Sequence, residues 1–255
     1  MTGKLFVNEA ALVTGAASSI GRAIAVALAE EGAAVTLVDI DDRRTAETAD
    51  LIARAGGKST TLVVDLSKPD GHRRVLDATG AQVFDMFVHS ASPPRHEKDG
   101  VRGVDEATWD AMVTTNVRSG FFLGRELGLR MSAAGKAGRM LYLTSLHAET
   151  PRNLPHYSAG KGGMRMVMME MARAFGPDGI RVNALAPGAV PGGGAANVTD
   201  EFRSKIPMGR VGTPADMAAT AKAILSNRYM PYVTGTTIAV DGGLDLYNWI
   251  PFARS

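Results

Sequence analysis

The chain contains no cysteine, so disulfides, thiolate metal sites and thiol nucleophiles are all excluded. Histidine is scarce, at five residues (His72, His89, His96, His147 and His156), and none forms a metal-ligand spacing such as His-x-x-x-His. Charge of one sign is lacking too. A net +2 over 255 residues offers no broad basic or acidic field for nucleic acid or a membrane surface. No apolar run is long enough for a membrane span, and the start, Met1-Thr2-Gly3-Lys4, does not resemble a signal peptide. A cytoplasmic protein is the resulting expectation. With 45% hydrophobic and 21% charged residues, the composition is that of a soluble globular chain long enough to bury a large core.

No linker or internal repeat divides the sequence, so residues 1–255 are expected to form a single domain. Short apolar runs alternate with helical patterns, which predicts βαβ units and a parallel sheet. Strands are expected at 10–14, 35–39, 61–64, 84–89, 139–144, 180–185 and 236–240. Helices are expected at 20–31, 45–55, 73–79, 106–117 continuing to 131, 157–175 and 214–225. Residues 187–197 form a Gly-rich loop. The fold class is therefore α/β, a doubly wound Rossmann-type fold with a seven-stranded parallel sheet flanked by helices.

Two local patterns carry chemistry. Thr14-Gly15-Ala16-Ala17-Ser18-Ser19-Ile20-Gly21 joins the first strand to the first helix, where a dinucleotide pyrophosphate meets helix N-terminal amides. Gly15 permits a tight turn and Gly21 close packing. Such turns are also ordinary connectors, but the strand-before, helix-after placement favours binding. Asp39, 18 residues after Gly21, ends the second strand and suits a ribose hydroxyl. It would repel a 2′-phosphate, favouring NAD over NADP, although Arg43 and Arg44 lie nearby. A solvated strand end, with helix caps at Asp41 and Asp42, is the plainer alternative. Asp65, at the end of the third strand, has the same placement and the same ambiguity. The second pattern is Tyr157-x-x-x-Lys161. Four residues apart on a helix share a face, and an ammonium beside a phenol lowers a pKa otherwise about 10, giving an acid/base near neutrality.

Gly15, Gly21, Asp39, Asp65, Asn116, Ser145, Tyr157 and Lys161 occur in an order that resembles the short-chain dehydrogenase/reductase family. Arg181-Val182-Asn183, Pro187-Gly188 and Asp241-Gly242-Gly243 extend the match to nearly the whole chain. The resemblance implies a nicotinamide cofactor, hydride transfer at an alcohol or carbonyl, and a homotetramer. It implies Tyr157 as acid/base and Lys161 as the group tuning it and binding the nicotinamide ribose. It implies Ser145 as the holder of the substrate oxygen and Asn116 as part of a water relay. Cofactor contacts are implied at Gly15, Ser18, Ser19, Ile20, Gly21, Asp39, Asp65, Leu66, Ser90, Ala91, Tyr157, Lys161, Pro187, Gly188 and Val190. Three positions depart from the pattern. Ser19 replaces a Gly or Ala, His89-Ser90-Ala91-Ser92 replaces Asn-Asn-Ala-Gly, and Gly192 stands where a Thr is usual.

The stretch from Thr144 to Tyr157 and the last fifteen residues are similar to those of glucose 1-dehydrogenases and related aldose dehydrogenases. His147, Glu149 and Asn153 would then face sugar hydroxyls, or His147 and His156 are simply satisfied loop residues. Met164, Met166, Met168, Met169 and Met171 either pack the core or a subunit contact, or line a permissive pocket. Tyr247, Trp249 and Phe252 suggest a docked tail. Arg95 to Asp99 is expected to be a solvated loop. An alcohol or carbonyl small molecule, with an aldose first, is the expected substrate. The alternatives are a 3-oxoacyl, steroid or other secondary-carbonyl reductase, or a dinucleotide sensor without activity.

Overall fold

The computed structural model describes residues 3–17, 19–96, 98–190 and 199–246. Seven strands form one parallel sheet in the order β3-β2-β1-β4-β5-β6-β7. They are β1 (Ala10–Thr14), β2 (Ala34–Asp39), β3 (Lys58–Val63), β4 (Met86–His89), β5 (Arg139–Leu143), β6 (Arg181–Pro187) and β7 (Thr237–Val240). The helices are α1 (Ser19–Glu30), α2 (Asp42–Arg54), α3 (Gly71–Thr79), α4 (Glu106–Val113), α5 (Gly120–Ala133), α6 (Pro155–Phe175), α7 (Asp200–Ser204) and α8 (Pro214–Leu225). Parallel strands need crossover helices, and these cover both faces of the sheet. On one face Ile24 and Leu28 of α1 and Ile224 and Leu225 of α8 pack with Val13, Leu37, Leu141 and Leu185. On the other, Leu123 and Leu127 of α5 and Met164 and Met168 of α6 pack with Leu12, Phe87, Tyr142 and Val182. The direction of winding reverses between β1 and β4, which opens a crevice beyond their C-terminal ends. Among the described residues no helix is long and apolar enough to cross a membrane.

Several boundaries differ from those expected, each for a local reason. β3 begins at Lys58 rather than Thr61, because an edge strand tolerates the polar Lys58, Ser59 and Thr60 while pairing with β2. α2 begins three residues early, at Asp42, because the Asp41 carboxylate caps it by accepting from Arg44 N at 3.0 Å. α6 begins at Pro155, whose fixed φ suits a first helical turn. β4 starts at Met86, after Asp85 N has bonded to Ala10 O at 2.8 Å. β6 runs on to Pro187, paired with Val240. α7, capped by Thr199, was not anticipated.

The expected helix from Glu106 to Met131 is interrupted. Residues Thr114–Ser119 form a π-helical segment between α4 and α5. Here the Asn116 amide donates to Met112 O at 2.9 Å, and Ser119 Oγ donates to Leu66 O at 2.8 Å. The third tie comes from His89. Its Nε2 lies 3.1 Å from Thr115 O, which only accepts, so Nε2 carries the proton. Nδ1 therefore accepts from the Thr14 hydroxyl at 2.9 Å. Thr14 Oγ1 in turn accepts from Ser90 N at 3.2 Å and Ala91 N at 3.3 Å. One neutral imidazole thus links β1, β4 and the π segment. Gly120 has to be glycine beside it, since a Cβ there would lie 2.9 Å from the His89 ring.

Arg181 and Asn183 tie β6 to the segment after α8. Arg181 donates to Ile224 O, in the last turn of α8, at 3.0 Å and to Val233 O beyond it at 3.1 Å. The Asn183 amide donates to Val233 O at 2.8 Å and its oxygen accepts from Thr236 N at 3.3 Å. Arg139, which ion-pairs with Glu9, donates from Nε to Leu225 O at 3.0 Å.

Burial, and after it the charge of Lys161, holds the His89 pKa down at about 4, below its ordinary 6.5. The unfolded chain therefore binds a proton that the folded chain refuses between those values, and stability falls as pH drops from 6.5 to 4. His89→Asn is expected to remove this component. Urea unfolding at pH 7 and pH 4 should show a smaller loss in the variant than in the parent, whereas an equal loss would refute the neutral bridge.

Candidate active site

The β1–α1 turn lies at the crevice. Gly15 N bonds to Val38 O at 2.9 Å and Gly15 adopts φ +71°, where a Cβ would stand 2.7 Å from Ala91 N. A Cβ on Gly21 would lie 2.0 Å from Gly15 O, so the helix can approach the turn only as glycine. Ser19 holds φ +50°, a left-handed conformation that costs a serine more than a glycine. The departure at this position therefore keeps a glycine-like backbone while adding a hydroxyl. Ile20 follows in the first turn of α1, whose amides and dipole favour an anion. Ser18 lies outside the described residues.

Asp39 is oriented by the protein rather than left solvated. Its Oδ2 accepts from Ala17 N at 2.9 Å, and Oδ1 accepts from Ile40 N at 2.8 Å and Asp41 N at 3.2 Å. Two of the nearby cations are committed, and the third, Arg44, is exposed. Arg22 donates to Ala17 O, Arg44 O and Thr48 Oγ1 and pairs with Glu47 at 3.1 Å, while Arg43 pairs with Glu47 at 2.6 Å. Asp65 accepts from Ser67 N and Oγ at 2.9 and 2.6 Å. Burial raises its pKa, but these bonds and Lys68 outweigh that and hold it below the ordinary carboxylate value. Leu66 is buried, with its carbonyl taken by Ser119. Ser90 and Ala91 are fixed through Thr14. Across the crevice, Gly188 N bonds to Val240 O at 3.1 Å, and a Cβ there would lie 2.7 Å from Asp241 Cα. Val190 is buried at the end of the described segment, and Gly192 lies outside it.

The strand-end loop after β5 and the start of α6 bring the remaining residues together. Lys161, only 3% exposed, donates from Nζ to Leu143 O at 2.8 Å, and its Nζ lies 5.5 Å from the Tyr157 ring centroid. Burial, then the charge of Arg95, lowers its pKa to about 7. Ser145 is buried and its Oγ accepts from His147 N at 3.3 Å. The His147 ring meets the Tyr157 ring edge-on, with centroids 5.1 Å apart. Asn116 is fully buried. Its Nδ2 also donates to Ser92 Oγ at 3.2 Å, and its Oδ1 finds no protein partner among the described residues. Gly160 sits against it, within 3.5 Å of Asn116 from an added Cβ.

The polar groups around this cluster fall differently from expectation. Arg95 is not part of a solvated loop: its guanidinium carbon lies 4.5 Å from the Tyr157 ring centroid. Asp99 is buried and accepts from His96 N at 3.2 Å. The sequence marks Arg95 only by the two prolines before it, a weak sign of a fixed approach. Glu149 is exposed and pairs with Arg165 at 3.0 Å. Asn153, at φ +56°, accepts from Val101 N at 3.3 Å and so pins the β4–α4 loop. Burial first, then Arg95 and Arg152, depress His147 to a pKa of about 4. His156 is a fully buried helix residue, with neither ring nitrogen paired among the described residues. Met164, Met168 and Met171 pack the core, while Met166 and Met169 of the same helix are exposed. Tyr247, Trp249 and Phe252 lie outside the described residues.

A dinucleotide fits what is present: a glycine cradle that side chains would fill, a helix N-terminus, an oriented carboxylate at the end of β2, and a buried lysine with donors to spare. A family model described as enoyl-(acyl carrier protein) reductase matches residues 15–245. Glucose 1-dehydrogenase 2 of Bacillus subtilis is 33% identical, over 96% of this chain and 97% of that protein. The 2-dehydro-3-deoxy-D-gluconate 5-dehydrogenase of Escherichia coli is 32% identical, over 92% and 95% respectively. A structure of a candidate 2-deoxy-D-gluconate 3-dehydrogenase from Agrobacterium tumefaciens with bound NADP superposes with a TM-score of 0.87 at 30% identity, over 96% of this chain and 99% of that one. By motif order, fold and relatedness over almost its full length, the chain belongs to the short-chain dehydrogenase/reductase family, nicotinamide-dinucleotide oxidoreductases that act on CH–OH groups.

Proposed function

We propose that the protein, acting as one dinucleotide-binding and catalytic domain over residues 1–255, moves a hydride between nicotinamide and a hydroxylated small molecule of the sugar or sugar-derived kind, with Tyr157 as its acid/base. The observation that carries this is the buried Lys161 held by Leu143 O beside the Tyr157 ring. Gly15, Ser18, Ser19, Ile20 and Gly21 would hold the pyrophosphate. Asp39, Asp65, Leu66, Ser90 and Ala91 would hold the adenosine half, and Tyr157, Lys161, Pro187, Gly188 and Val190 the nicotinamide half. When bound, the nicotinamide supplies the hydride acceptor or donor.

The chain's own groups handle the oxygen and its proton. Ser145 would donate to the substrate oxygen and fix it opposite the Tyr157 hydroxyl. Tyr157 would take the hydroxyl proton as the carbinol becomes a carbonyl, or return it in the reverse direction. Negative charge developing on the Tyr157 oxygen is stabilised by Lys161 and Arg95, both placed on its ring. The unpaired Asn116 Oδ1, one helix turn from Met112 O, supports a water-held path for protons near Lys161. The family expectation of a homotetramer carries over, as does a cytoplasmic setting.

NAD is proposed as the preferred cofactor. The support is the Asp39 carboxylate, where a 2′-phosphate would meet like charge, and the commitment of Arg22 and Arg43 to Glu47. The related structure with bound NADP makes the comparison of both cofactors the test. kcat/KM for NAD should exceed that for NADP by at least about tenfold, and a clear advantage for NADP would overturn the preference. Tyr157→Phe is expected to lower turnover about 10³-fold or more while nicotinamide binding, read by fluorescence titration, changes little. Retained turnover would refute the assignment.

A further inference from the structure

The rim of the Tyr157 cleft carries positive charge that the described protein groups leave uncompensated. The Arg95 guanidinium lies against the Tyr157 ring and is half-buried, yet among the described residues no carboxylate pairs with it and no hydrogen bond takes up its five donors. Of the described acids in the two loops that carry Arg95 and Arg152, Glu149 pairs with Arg165 and Asp99 accepts from His96 N. Arg152, exposed on the other side of His147 in sequence, is also without an ion-pair partner among the described residues. Both arginines act on His147 strongly enough to help keep its ring neutral, and Arg95 acts on buried Lys161 as well. Gathering cations around a half-buried arginine is costly unless an anion completes the set.

A planar guanidinium fixed over an aromatic ring presents its edge to a carboxylate in a geometry that admits two parallel hydrogen bonds. We propose that Arg95 anchors a carboxylate on the substrate, so that the enzyme acts on hydroxy acids and their oxo counterparts rather than on neutral alcohols or free aldoses. This rests on the proposed role of the Tyr157 site and narrows it. Because Arg95 touches the ring of the acid/base, the carboxylate and the reacting carbinol belong to one small molecule, a few bonds apart. The carboxylate keeps its charge throughout. The carbinol loses a hydride to the nicotinamide and a proton to Tyr157. A neutral sugar would leave the arginine buried by the ligand and unpaired, which selects against it. One fixed guanidinium suits a planar monoanion better than a phosphate dianion, which asks for more donors.

The test compares each acid with an uncharged partner of the same skeleton: D-gluconate with D-glucitol, and cis-4-hydroxycyclohexanecarboxylate with its carboxamide. The expected kcat/KM ratio of acid to neutral partner is about 100-fold in the parent. It should fall below about threefold in Arg95→Gln, mainly through KM, with part of it restored in Arg95→Lys. Taking the ratio within each variant cancels any loss of folded enzyme. If Arg95 served only to tune Lys161 or Tyr157, both partners would lose rate together and the ratio would stand, which overturns the proposal. So would a parent that turns over the neutral partners, or glucose 6-phosphate, as well as the acids. Calorimetric titration of the two acids into enzyme saturated with NAD gives a readout independent of turnover. Binding retained in Tyr157→Phe and lost in Arg95→Gln supports the anchor even if the hydride-transfer assignment fails, and absence of binding by either acid to the parent refutes it.

Discussion

The site depends on one contact, the hydrogen bond from Lys161 Nζ to Leu143 O at 2.8 Å in an almost dry environment. A buried ammonium is costly, and here the cost shows as a pKa brought down to about 7 by burial and by Arg95. The carbonyl of Leu143 is available because it terminates β5 at the open end of the sheet, one residue beyond Tyr142, where pairing with β4 ends. The register of β5 against β4 and β6 therefore fixes where the lysine ends, and α6 fixes where its tyrosine sits relative to it. Neutral His89 belongs to the same arrangement. A protonated imidazole in that position would add another charge beside Lys161, and its Nδ1 could no longer accept from Thr14.

Both halves of the crevice are built by close backbone approach. Gly21 against Gly15 O, Gly15 against Ala91 N, and Gly188 against Asp241 leave no room for a Cβ. Asp39 closes the first of these by accepting from Ala17 N, so one carboxylate shapes the β1–α1 turn. The π segment works in the same way on the other side. Its Thr115 O bonds His89, and its Asn116 lies buried against Gly160 of α6.

Much of this was legible in the sequence. Alternation of apolar runs with 3.6-period segments located all seven strands, because a doubly covered parallel sheet needs continuous apolar strands. The order of Gly15, Gly21, Asp39, Ser145, Tyr157 and Lys161 pointed to the site, since local motifs of this kind sit at fixed places on strand ends. Edge strand β3 was cut short because its polar residues carry no apolar signature. The π segment was invisible, since the histidine that bonds it lies 26 residues upstream. Arg95 was missed for a related reason. A cation in a polar loop looks solvated until the fold lays it on a tyrosine 62 residues later.

The most direct measurement is the titration of Lys161 itself, by NMR of protein labelled with 13Cε and 15Nζ lysine, in the absence of cofactor. A resonance assigned through Lys161→Met should titrate near pH 7. A Lys161 that titrates at the ordinary lysine value of about 10.4 would show an accessible, solvated ammonium and contradict the account.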